Sequence, residues 1–151
     1  MIRLQHSVGI TDAALSWLNS YITERYQRVA VDSATSADCV MKCGVPQGSV
    51  LGPILYCIYT RPIGDIVARH GLQYHCYADT QIYMAVKHNQ PITEAITKIE
   101  QCLTEVTDWY GKNQLKLNTE KSEAVIFLTS KQRNDLPSDI SVAIGRHRVV
   151  P

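Results

Sequence analysis

The chain has 151 residues, 45% of them hydrophobic and only 19% charged, and its 15 basic and 14 acidic side chains leave a net charge of +1. That length is about one ordinary domain, and the composition excludes a disordered tail. No apolar run reaches the roughly 18–20 residues that cross a bilayer, and the near-neutral charge argues against a freestanding nucleic-acid binder held by excess Lys and Arg.

Thr11 or Asp12 can cap a first helix over about 12–25, where Ala14, Leu18, Tyr21 and Ile22 recur at helical spacing. From Tyr26 to Cys43 the texture alternates, and Ser33-Ala34-Thr35-Ser36 reads as the turn of a hairpin. Gly44 to Ser49 interrupts both periods. An apolar helix follows, with Pro53 suited to its first turn, Pro62 placed to break it and Gly71 suited to its end. Leu72 to Val86 reads as two strands with a tight turn at Asp79-Thr80. The longest helix is predicted over about 92–111, opened by Pro91, with a continuous apolar stripe from Ile92 to Trp109 or Tyr110. Glu123 to Thr129 is predicted as a buried strand, and Ile140 to Val150 as a last hairpin. With no repeat or linker, the expectation is one mixed α+β unit.

Two stretches carry chemistry. Three glycines and two prolines lie within Gly44–Pro53, directly ahead of an apolar helix. Glycines permit close backbone approach, a helix start offers unpaired N–H groups, and Gln47 both donates and accepts, so the segment is either a ligand loop or a structural strand-to-helix turn. Its spacing fits neither a Walker loop nor a dinucleotide fingerprint. In the second stretch, Tyr77-Ala78-Asp79-Thr80, a carboxylate at a hairpin tip can hold a hard cation or simply form the turn. Five irregularly spaced cysteines (Cys39, Cys43, Cys57, Cys76 and Cys102) favour reduced thiols inside a cell over a disulfide framework. Metal binding through Cys39, Cys43, His75 and Cys76 is a weaker alternative to buried thiols. Residues 1–111 hold 8 basic and 10 acidic groups and residues 112–151 hold 7 and 4, so Lys112, Lys116 and Lys121 could form a local basic edge.

GVPQGSVLGPILYCIY, YADTQIY and WYGKNQLKLNTEKSE, with the lead-in LSWLNSYITERYQRV, together resemble the reverse transcriptase domain of non-LTR (LINE-type) retrotransposons over about residues 8–150. The resemblance implies a polymerase palm-like antiparallel sheet with packed helices, an RNA template, a DNA primer and dNTPs as partners, and Mg²⁺ as cofactor. Gly44, Pro46, Gln47 and Gly48 match the family's template-side loop. Tyr77, Ala78 and Asp79 match its aspartate hairpin, with Asp79 as catalytic metal ligand. Lys121 matches a lysine proposed to assist the leaving pyrophosphate, as a cation beside departing phosphate would; a solvated loop lysine is the plainer alternative.

The pattern departs from the family in two places. The family box reads Tyr-Ala-Asp-Asp-Thr-Gln, whereas Thr80 follows Asp79 here. The loss removes a carboxylate and shortens the hairpin, which threatens a one-residue slip of the strands. The matched segment also begins after the strand that carries the family's other metal-binding aspartate and after the fingers. The chain, taken as one partial palm domain over 1–151, is therefore expected to be inactive as a polymerase. The alternative is a non-catalytic RNA- or protein-binding module derived from a retroelement.

Overall fold

The computed structural model describes residues 1–45, 48–77, 79–87, 90–129, 136–137 and 139–151. Two compact units emerge, Met1–Thr60 and Arg61–Pro151. Helices are mixed with antiparallel strands, and the described strands make four two-stranded sheets.

In the first unit, α1 (Ile2–His6) and α2 (Asp12–Ile22) precede strands β1 (Arg25–Gln27), β2 (Ala30–Val31), β3 (Ala34–Thr35) and β4 (Cys39–Met41), and α3 (Gly52–Thr60) closes the unit. The five-residue α1 is too short to leave a periodic signature. The first long helix stops at Ile22, ahead of the expected 25. Thr23 turns extended while its N–H and hydroxyl bond Asn19 O, and Glu24 takes a φ of +52°. The long hairpin forms as β1 against β4, Tyr26 opposite Val40, with β2 and β3 continuing it. Its reversal falls at Asp32-Ser33, where Asp32 supplies a φ of +51°, so Ala34 and Thr35 belong to the returning strand and not to the expected turn. Pro53 does occupy the first turn of α3. Leu4, Leu18 and Leu55 form the buried core, with Leu15, Tyr21, Ile22 and Leu51 packed around them.

The second unit contains α4 (Pro62–Arg69), β5 (Gln73–Tyr77), β6 (Asp79–Tyr83), α5 (Ile92–Lys112), a 3₁₀ turn (Thr119–Lys121), β7 (Val142–Ile144) and β8 (His147–Val149). Pro62 opens a new helix as its missing N–H dictates, and Gly71 leaves α4 with a φ of +62° that a side chain would strain. Ile63, Ile66 and Val67 of α4 meet Cys102, Val106 and Tyr110 of α5 and Leu72, with Ile82 and Met84 packed against them. Full burial of a residue such as Val67 contributes about 1.5–3 kcal/mol. Polar groups fasten the periphery. Glu105 accepts hydrogen bonds from Arg69 and, at 2.9 Å, from His70, while Glu100 accepts the Ala143 N–H at 2.8 Å and ties β7 to α5.

One expected strand is absent. Residues 123–129 carry no ladder, because no strand of the described residues lies alongside to supply one, and the expected burial fails with it. Val125 is 67% and Phe127 92% exposed, while Ala124 and Ile126 are half-buried, so the exposure alternates over these four residues and ceases at Leu128.

Candidate functional site on the Asp79 hairpin

The β5–β6 ladder pairs Tyr77 with Asp79, Cys76 with Thr80, His75 with Gln81, Tyr74 with Ile82 and Gln73 with Tyr83. Asp79 and Thr80 are therefore the first residues of β6, and the expected turn at Asp79-Thr80 is corrected to the link between Tyr77 and Asp79. Ala78, in that link, lies outside the described residues. Because side chains alternate across a strand, Tyr74, Cys76, Thr80 and Ile82 share one face, and His75, Tyr77, Asp79 and Gln81 share the other. The first face turns inward: Ile82 packs on the core, and Tyr74 lies over Gly64 so closely that a Cβ there would stand 2.3 Å from its hydroxyl. Both strands thus keep their apolar side on the core.

The outer face is open. Tyr77 is 86% exposed, and Asp79 is exposed directly across the ladder from it. Thr80 follows Asp79 directly in β6. It points to the opposite face and its hydroxyl donates to Cys76 Sγ at 3.9 Å. Among the described residues of this ladder, the outer face carries a single carboxylate.

The other matched residues occupy separate pieces of chain. Gly44 and Gly48 belong to the first unit and both take left-handed φ values, +81° and +78°, with open space where a side chain would begin. Gly44 O accepts a hydrogen bond from Arg25. Pro46 and Gln47 lie outside the described residues. In the second unit, Lys121 ends the 3₁₀ turn with an exposed side chain, and its N–H bonds Asn118 O at 3.3 Å. Beside that turn lies a cleft of about 420 Å³ lined by Lys116, Leu117, Asn118, Thr119, Glu120 and His147.

The proposed basic edge is interleaved with acids. Lys112 lines a different cleft that also holds Asp65, Arg69, Glu105 and Asp108, and Lys116 shares its own with Glu120. Sequence reading did not single out the Arg69–His70–Glu105 cluster. Its signal was present in two basic residues at the end of a helix, where they complement the carbonyl end. Hydrogen bonding from His70 first, and from Arg69 second, holds the Glu105 carboxyl below its usual range.

The thiols also differ from expectation. Cys39, Cys43 and Cys57 are exposed, Cys76 is half-buried and only Cys102 is buried, where desolvation raises its thiol pKa with the Glu105 charge adding to the effect. His75 and Cys76 are consecutive strand residues and point to opposite faces, so they do not chelate as a pair. Among the described residues no group of three or more His, Cys, Asp and Glu is placed to hold a metal ion.

The family described as reverse transcriptase (RNA-dependent DNA polymerase) matches residues 3–139. The chain belongs to the reverse transcriptase family. It is 34% identical over 110 residues to the probable RNA-directed DNA polymerase from transposon BS of Drosophila melanogaster, covering 70% of this chain and 12% of that protein. The probable RNA-directed DNA polymerase from transposon X-element of the same organism is 31% identical over 122 residues, covering 80% and 13%. The RNA-directed DNA polymerase from mobile element jockey, also of Drosophila melanogaster, is 28% identical over 116 residues, covering 73% and 12%. These relatives bear out the likeness to the LINE-type reverse transcriptase domain, and this reverse transcriptase chain spans about an eighth of their length. No solved structure matches it.

Proposed function

We propose that the chain is a palm segment of an RNA-directed DNA polymerase that does not polymerise by itself. In this reading the ancestral reaction is template-directed nucleotidyl transfer from dNTPs, with an RNA template and a DNA primer as partners. The observation that carries it is the solitary carboxylate of Asp79 on the exposed face of the β5–β6 hairpin, with Thr80 turned away beside it.

Two-metal phosphoryl transfer holds its ions about 3.5–4 Å apart between several carboxylates. The residues on this face do not fit a pair of Mg²⁺ ions. Tyr77, His75 and Gln81 surround Asp79 without adding a second carboxylate, so no catalytic step is assigned through the metal. Loss of one electrostatic partner to a transition state typically costs about 100–1000-fold in rate. Tyr77, Ala78 and Asp79 then mark the former catalytic hairpin, Gly44, Pro46, Gln47 and Gly48 the template-side loop, and Lys121 the lysine facing the leaving group.

Primer extension on an RNA template, with Mg²⁺ and dNTPs, tests this. The wild-type chain should give no product above a protein-free control. Extension that disappears in Asp79→Asn would overturn the inactive reading.

A further inference from the structure

We infer that Arg25 is a positioning residue for the template-side loop, because its guanidinium ties the end of α2 to the Gly44 carbonyl where that loop begins. The last turn of α2 leaves carbonyls without partners inside the helix, and that end favours a cation. Arg25 Nε donates to Ile22 O at 3.0 Å, and a second nitrogen of the same guanidinium, Nη2, donates to Gly44 O. Arg25 stands opposite Met41, the last residue of β4, so the bridge reaches across just where the β1–β4 ladder stops. Gly44 then turns the chain with a φ of +81°, and Val45 packs on the same core as Ile22. A polar anchor and an apolar one thus hold two consecutive residues against the end of α2.

The chemistry calls for arginine. A rigid fork presents separate nitrogens to two carbonyls at once, whereas lysine brings a single nitrogen on a flexible stem. Glycine has the greatest backbone freedom of any residue, so Gly44 does not fix its own left-handed turn and depends on an outside partner. Both Arg25 contacts go to main-chain oxygens of this protein, so its effect on a template reaches through the loop and not by pairing with a phosphate. The role of Arg25 rests on the template-side reading of Gly44 and adds to it a residue outside the glycine motif.

Fluorescence anisotropy of an RNA template annealed to a labelled DNA primer, titrated with the full chain, tests it. Arg25→Ala should bind about tenfold more weakly than the wild type. The slope of affinity against salt should stay the same, whereas loss of a phosphate contact lowers it by about one. Arg25→Lys, which keeps the charge and the stem, should bind as weakly as Arg25→Ala, and it carries the comparison if Arg25→Ala disturbs the circular dichroism. Gly44→Val, strained at a φ of +81°, should weaken binding too, and adding Arg25→Ala to it should cost nothing more, because both act through one loop. Normal binding by Arg25→Ala or Arg25→Lys beside a weakened Gly44→Val overturns the role of Arg25 alone. So does a lowered salt slope, or full additivity in the double variant. A wild-type chain that does not bind, or a Gly44→Val variant that binds normally, overturns the template-side reading and the role of Arg25 with it.

Discussion

Gly64 shows how one missing Cβ fixes a contact. Alanine in a helix interior is ordinarily worth about 1 kcal/mol over glycine, but here the added methyl would collide with the Tyr74 ring, whose hydroxyl lies 2.3 Å from its place. Overpacking of this kind costs about 1–3 kcal/mol. Gly64→Ala should therefore leave the protein no more stable, or less, whereas the same change made in Tyr74→Ala should stabilise it. Denaturant unfolding of the four proteins measures the coupling, and simple additivity would contradict it. The cysteines offer a second residue-scale check. In the native protein Cys39, Cys43 and Cys57 should react with a thiol reagent at once, Cys76 more slowly, and Cys102 only after unfolding, since burial both covers it and disfavours its thiolate. Prompt labelling of all five would contradict the packing of α5. Buried thiols are the expectation because cysteine is commonly an interior residue; of the three exposed ones Cys39 lies on the short β4, Cys43 just beyond it and Cys57 on α3.

At the scale of elements, the helices were legible wherever their ends carried a steric rule. Pro53 placed a helix start, Pro62 a break that the structure turns into the start of α4, Gly71 marked the end of α4, and the stripe of Ala95, Cys102, Val106 and Tyr110 predicted the buried face of α5. Strands were less legible because a ladder depends on a distant partner. Leu72 to Val86 contained the hairpin but hid its reversal, since Asp79 is a good turn former and also tolerates the first position of β6. The segment 123–129 has strand-forming residues but joins no ladder among the described residues. The α4–α5 contact came from residues 35 and 36 apart, beyond the reach of local pattern. It makes a pH prediction. The Glu105 carboxyl is held below its usual 4.5 by His70 and Arg69. Its contribution to stability is therefore fully present above that value and fades as pH falls through the lower value it has in the fold. Glu105→Gln should flatten the decline of melting temperature below pH 4.5, and profiles that run parallel to the wild type would contradict the assignment.

For the whole molecule, family membership is legible in motifs dispersed through the chain. What the structure adds is the arrangement of the candidate site: Tyr77 and Asp79 face each other on an exposed ladder, Thr80 is withdrawn, and Gly44 and Gly48 supply left-handed turns in the first unit. Pattern alone left open whether the shortened hairpin would slip. Packing of Ile82 and the close approach of Tyr74 to Gly64 show that the inward face is kept. The central claim is that the outer face holds one carboxylate and no two-ion site. Titration with Mn²⁺, which substitutes for Mg²⁺ and is read directly by electron paramagnetic resonance, tests it most directly. The account predicts no saturable two-ion binding and no difference on that score between the wild type and Asp79→Asn; two ions bound saturably in the wild type and lost in Asp79→Asn would contradict it.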